Sequence, residues 1–200
     1  MHRVFVSYYH HDDQWYKNEL VKWAEANKIF IDGSVDTGDI PDDWDDQTIR
    51  ETIRDEYLQD TSVTVVLVGP NTRHRKHVDW EIYSSMFDGK VNKKSGIVVV
   101  MLPETNCDDC HIPYSNEKEQ IYPEIKNWTS VNSREEYECR YPDLPERIID
   151  NLMKDGVKIS VVTWNKLTVD NMRMLLDNAY NNRKSQQYDL SRRMRRRNGN

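Results

Sequence analysis

Residues 62–69 read Ser-Val-Thr-Val-Val-Leu-Val-Gly, and residues 96–102 read Gly-Ile-Val-Val-Val-Met-Leu, with Pro103 closing the run. Both segments are apolar at odd and even positions alike. A strand of this kind has no face to offer water, so it belongs in a parallel sheet covered by helices on both sides. Arg3–Tyr8, around Val4-Phe5-Val6, is a third such strand; Ile29–Ile31 begins a short fourth, and Val157–Trp164 reads as the last. Helical spacing fills the intervals. Asp12 or Asp13 is placed to cap a helix to about Ala26, on which Trp15, Tyr16, Leu20 and Trp23 share a face. Ile49, Ile53 and Tyr57 space out a second helix, and Val78–Phe87 reads as a third. Leu144–Lys154 follows with Pro145 near its first turn, and Thr168 caps a final helix carrying Met172, Leu175, Leu176 and Tyr180. Strand–helix alternation of this length predicts an α/β fold with a central parallel sheet.

Residues 104–142 break the alternation. They are polar and aromatic, yet keep Ile112, Tyr114, Ile121, Tyr122 and Trp128 to pack, so they read as an insertion within one domain over residues 1–182. Residues 183–200 form a basic tail. Seven of its side chains (Arg183, Lys184, Arg192, Arg193, Arg195, Arg196, Arg197) are cationic against one acid, Asp189. The remaining 21 basic and 33 acidic residues leave a body of charge −12, which argues against a nucleic-acid partner. The tail itself reads as a solvated terminus; contact with a phosphate polymer or an acidic partner is the other reading. No apolar run approaches a membrane span, and the opening residues read as a strand, not a secretory signal, so a cytoplasmic protein without membrane contact is expected. Cys107, Cys110 and Cys139 are too few for a disulfide framework. Free thiols are the expectation, with a zinc site from Cys107, Cys110, His111 and Cys139 as the alternative.

In an open parallel sheet ligands sit at the carboxyl ends of the strands. The motifs that commonly act there are absent: no G-x-x-x-x-G-K-[ST], no G-x-G-x-x-G, no G-x-S-x-G. The strand at 62–69 ends Val68-Gly69-Pro70-Asn71, without the carboxylate a phosphoacceptor would need. What remains is a polar and aromatic collar: Ser7, Tyr8, Tyr9, His10 and His11; then Asp36, Thr37 and Asp39 with Trp44; then Asp79, Trp80 and Glu81. One carboxylate beside aromatic walls can bind ribose hydroxyls and stabilise an oxocarbenium-like sugar cation. Cleavage of a nicotinamide–ribose bond is that kind of reaction, because the leaving group is already cationic and needs no strong acid.

The opening Arg3-Val4-Phe5-Val6-Ser7-Tyr8, the loop Asp36-Thr37-Gly38-Asp39-Ile40-Pro41, Ile49-x-x-x-Ile53, the strand at 62–69 and Asn71 through His77-Val78-Asp79-Trp80-Glu81-Ile82 together resemble the TIR family. The resemblance covers about residues 3–103 and is nearest to the TIR-like proteins of bacterial Thoeris anti-phage defence, the ThsB type. It implies a flavodoxin-like three-layer fold, here with an insertion and a helical C-terminal extension. It implies an enzyme that senses a phage-derived trigger and cleaves NAD as substrate. The product is a cyclic ADP-ribose signal that reaches a separate effector by diffusion. Carried over by position, Glu81 is the catalytic residue, and Phe5, Ser7, Tyr8 and Asp36 line the nucleotide pocket. No cofactor or metal is implied, and assembly into a homo-oligomer on activation is. Trp80 directly precedes Glu81, whereas the family segment often has its Trp a few residues earlier. Two other readings stay open: a non-catalytic TIR-type interaction module, and a flavodoxin-like or receiver-like nucleotide binder.

Overall fold

The computed structural model describes residues 1–34, 40–41, 43–89 and 91–199. The chain enters through β1 (His2–Ser7), turns into α1 (His10–Ala26) and returns along β2 (Phe30–Asp32). Then α2 (Asp46–Thr52) winds on into one π-helical turn at Ile53–Tyr57. After it come β3 (Val63–Val68), α3 (Lys76–Met86) and β4 (Gly96–Met101). The insertion supplies α4 (Ser115–Ile121) and α5 (Arg134–Arg140); α6 (Glu146–Leu152), β5 (Ser160–Thr163) and α7 (Val169–Asn182) complete the described elements.

The five strands form one sheet in the order β2-β1-β3-β4-β5, with every pairing parallel. Every residue of β3 and of β4 is buried, as the unbroken apolar runs require. One face packs Val4, Val6, Val65 and Val98 against Leu20 and Ala24 of α1 and Met172 and Leu176 of α7. The other packs Val66, Val68 and Val99 against Val78 and Ile82 of α3 and Ile148 of α6. Helices on both faces of a parallel sheet make this the three-layer, flavodoxin-like arrangement. Among the described residues no helix is long and apolar enough to cross a membrane.

Several local expectations are corrected. Helix α1 starts at His10, and no side chain caps it among the described residues. Asp12 accepts from Asn71 Nδ2 (2.8 Å), and the buried Asp13 from Thr72 Oγ1 (3.1 Å), so both acids tie α1 to the turn after β3. Trp15 is 62% exposed, and Ala24 faces the core instead. The Ile53 turn is π-helical, and β5 is shorter than the apolar run around it. Thr168 does cap α7, accepting from the Asn171 amide at 3.2 Å. The insertion is built into the core: Ile112, Ile121 and Tyr122 join the α1–α7 side, Tyr137 and Tyr141 the other. An antiparallel bridge from His111 to Val161 fastens it beside β5.

Gly96 lets α7 approach β4 closely. A Cβ built there would stand 2.2 Å from the carbonyl oxygen of Ala179. Backbone cannot retreat as a flexible side chain can, so Gly96→Ala should lower stability by about 1–3 kcal/mol. The check is the shift of the urea-unfolding midpoint to lower denaturant.

Candidate active site

Side chains alternate across β1. Val4 and Val6 face α1 and α7, so Phe5 and Ser7 face α2 and α3. Helix α3 lies over that face, and the Ser7 hydroxyl donates to Glu81 Oε2 at 2.7 Å. Ser7 is fully buried and Glu81 is 3% exposed. Burial pushes the Glu81 carboxyl up to about 8, with the Ser7 hydrogen bond opposing it. The group therefore holds its proton at neutral pH in this closed state. One turn further along α3, Ser84 is fully buried, and its hydroxyl has no hydrogen-bond partner among the described residues. Phe5 packs beside this group in an apolar cluster with Ile40, Ile49 and Trp80, and Trp44 lies at the cluster's edge.

The structure thus brings Phe5, Ser7 and Glu81 together. Tyr8 does not join them. Its ring packs in the α1-side cluster, 4.4 Å from the ring of His10, and its hydroxyl donates to Gln14 Oε1 at 2.8 Å. The physical reason is the pleat: Ser7 and Tyr8 are neighbours and leave the chain on opposite sides. Asp36, with Thr37 and Asp39, lies outside the described residues. His11 is turned to Asp12. Cys107, Cys110 and Cys139 are free thiols, and no group of three or more metal-ligating side chains converges among the described residues.

The two residues before Glu81 serve a different contact. Asp79 receives a bidentate pair from Arg147 of α6, Nε at 2.8 Å and Nη2 at 3.1 Å. Arg147 is fully buried, and it also donates to the carbonyls of Arg192 (2.9 Å) and Arg193 (3.2 Å). Asp79 Oδ2 accepts the Arg195 amide at 2.7 Å, and the Trp80 indole donates to the Arg195 carbonyl at 2.7 Å. The basic end, expected as a solvated terminus, therefore lies along α3 as an extended strap. Met194 is 4% exposed and joins the Phe5–Trp80 cluster. Beyond it, Arg196 donates to the Trp44 carbonyl at 2.6 Å and pairs with Asp46, and the Gly199 amide donates to the His74 carbonyl at 3.0 Å.

The family model for the TIR-like domain of the Thoeris protein ThsB matches residues 5–107. The chain belongs to that family. No curated protein matches it. The ThsB TIR-like match begins at Phe5, takes in Ser7 and Glu81, and ends just inside the insertion. Arg147 and the strap lie beyond the matched residues, and sequence reasoning missed both. An arginine in a short helix and a run of exposed-type cations carry no signal of burial.

The raised Glu81 carboxyl has a consequence for stability. An unfolded chain gives up this proton near the ordinary 4.5, while the folded one keeps it to about 8. Its contribution is fully present below pH 4.5 and is lost as pH rises through about 8. Glu81→Gln, neutral and isosteric, removes that dependence. Relative to this variant the wild type should lose up to about 1.4 kcal/mol of stability per pH unit across that window. Urea denaturation of both proteins at pH 5 and pH 8 measures it; parallel pH dependence would show that Glu81 is ionised in the folded protein.

Proposed function

We propose that this TIR-like domain is an NAD-cleaving enzyme of Thoeris anti-phage defence with Glu81 as its catalytic carboxylate. The single observation that carries the reading is the Ser7–Glu81 pair, at the carboxyl end of β1 and beneath α3. A hydroxyl-oriented carboxylate in an apolar setting is suited to a developing sugar cation, because its field is undiluted by water. The nicotinamide–ribose C–N bond breaks with its electron pair leaving on nicotinamide, which departs neutral. Positive charge then rests on the ribose ring and is stabilised by Glu81 in its ionised form. Water capturing that carbon gives ADP-ribose and a proton. A nucleophilic atom of the same molecule capturing it gives a cyclic ADP-ribose isomer, the signal that would diffuse to a separate effector. Phe5 and Trp44 supply flat apolar surface beside the site, and Ser84 an unpaired hydroxyl within one turn of Glu81. NAD is the substrate in this reading, no cofactor takes part, and a phage-derived trigger and homo-oligomerisation bring the site into its working state.

The reading of a non-catalytic interaction module rests on a different observation. Glu81 is buried and protonated as it stands, which also suits a purely structural acid. The two separate in cells. With wild-type protein, infection should produce an ADP-ribose species detectable by mass spectrometry. Glu81→Gln should lower its yield by about 10²–10³-fold while the purified variant still melts cooperatively. Equal yields from both proteins would return Glu81 to a structural role.

A further inference from the structure

Phe5, Ser7 and Glu81 are 2%, 0% and 3% exposed, so a dinucleotide cannot reach the carboxylate in this conformation. Some element must withdraw. The strap at residues 192–199 is connected to both walls of the site. On one side its backbone is held by Asp79 and Trp80, the residues directly before Glu81 on α3. On the other, Arg196 holds the Trp44 carbonyl and Asp46, at the start of α2. Between these anchors Met194 fills the apolar cluster that contains Phe5.

The way the strap is held also makes it separable. Met194 is its one buried side chain. The rest of its attachment is hydrogen bonds and ion pairs, part-buried at Asp79, Trp80 and Arg147 and exposed at Arg196, and polar contacts that water can replace open at less cost than apolar packing. A groove of about 220 Å³ runs beside it, lined in part by Arg73, Arg75 and Arg193, so the strap is not close-packed along its length. Five arginines stand within residues 192–197 and repel one another. The Asp79–Arg147 pair keeps its two direct hydrogen bonds between α3 and α6 when the strap leaves, and the Arg147 donors that served the Arg192 and Arg193 carbonyls pass to the water that replaces them. The domain can therefore keep its core when the strap leaves.

We infer that residues 192–199 are an autoinhibitory strap that ties α3 to the start of α2 and uses Met194 to close the Phe5–Ser7–Glu81 site. Release of the strap frees both walls and removes the methionine from the cluster. The trigger or assembly step then has a physical object to act on. The inference takes Glu81 as the working residue and rests on the NAD-cleaving reading for its enzymatic consequence.

Three forms of the protein test it: the full chain, a chain ending at Ser191 that keeps buried Tyr188 and the Asp189–Asn151 contact, and full-length Met194→Asp. Access is read by carbodiimide labelling of Glu81, quantified by peptide mass spectrometry, and melting confirms the fold. Labelling should rise at least about tenfold in the truncated chain and in Met194→Asp. A synthetic peptide of residues 189–200 should restore slow labelling to the truncated chain, and a scrambled peptide should not. NAD consumption should appear with the opened forms and vanish again when Glu81→Gln is added. Should the truncated chain fail to fold, Met194→Asp carries the same measurement. Labelling as slow as wild type in a folded opened form overturns the strap. Fast labelling without NAD consumption leaves the strap as the cover of this site and overturns the NAD-cleaving reading instead.

Discussion

Two strands that expose nothing to solvent, Val63–Val68 and Gly96–Met101, set the conditions under which everything else in this protein is placed. Each needs a partner strand on both edges and helices on both faces. The sheet order supplies the edges, with β1 and β5 flanking the central pair. The helices then have no freedom of side: α1 and α7 take one face, α3 and α6 the other. Glu81 meets Ser7 because α3 must lie back across the sheet after β3, and β1 is the neighbour it crosses.

The Asp79–Arg147 pair is a second organising contact of a different kind. Both groups are buried, and removing one partner would strand the other charge at a cost of about 3–5 kcal/mol. Arg147 carries more donors than Asp79 can accept, and the surplus goes to main-chain carbonyls of the strap. A buried guanidinium that must satisfy all its N–H groups thus recruits the C-terminal segment. The segment in turn reaches the cluster around Phe5. A structural requirement at α6 in this way fixes a segment that also packs against the Phe5–Trp80 cluster.

Glu81 illustrates how closure and chemistry interact. A buried carboxyl near neutrality is protonated and poorly suited to stabilise a cation. Entry of a cationic substrate would reverse this, because the positive nicotinamide beside the carboxyl favours its ionised form. For the proposed reaction, closure of the site would act twice, on access and on protonation.

The α/β class and the strand positions were legible in the residues themselves, whereas Glu81 stood out from the other collar residues only through the resemblance to the TIR family. Short Val- and Ile-rich apolar runs bounded by Gly or Pro read as doubly covered strands, and that pattern is local. The Thr168 cap and the packing aromatics of the insertion were legible for the same reason. Four things were decided only by tertiary structure. The pleat at the end of β1 sent Tyr8 away from Ser7. Asp12 and Asp13 left the helix start for Asn71 and Thr72, because a partner across the sheet edge was in reach. The Trp80 ring packed into the cluster with Phe5 while its indole N–H went to the strap. The basic end folded back, since the carbonyls that Arg147 needs lie some 45 residues along the chain from it. Hydrophobic period is written in neighbouring residues and can be read from them; the partner of a buried polar group is chosen among distant ones, and only the folded chain brings those together.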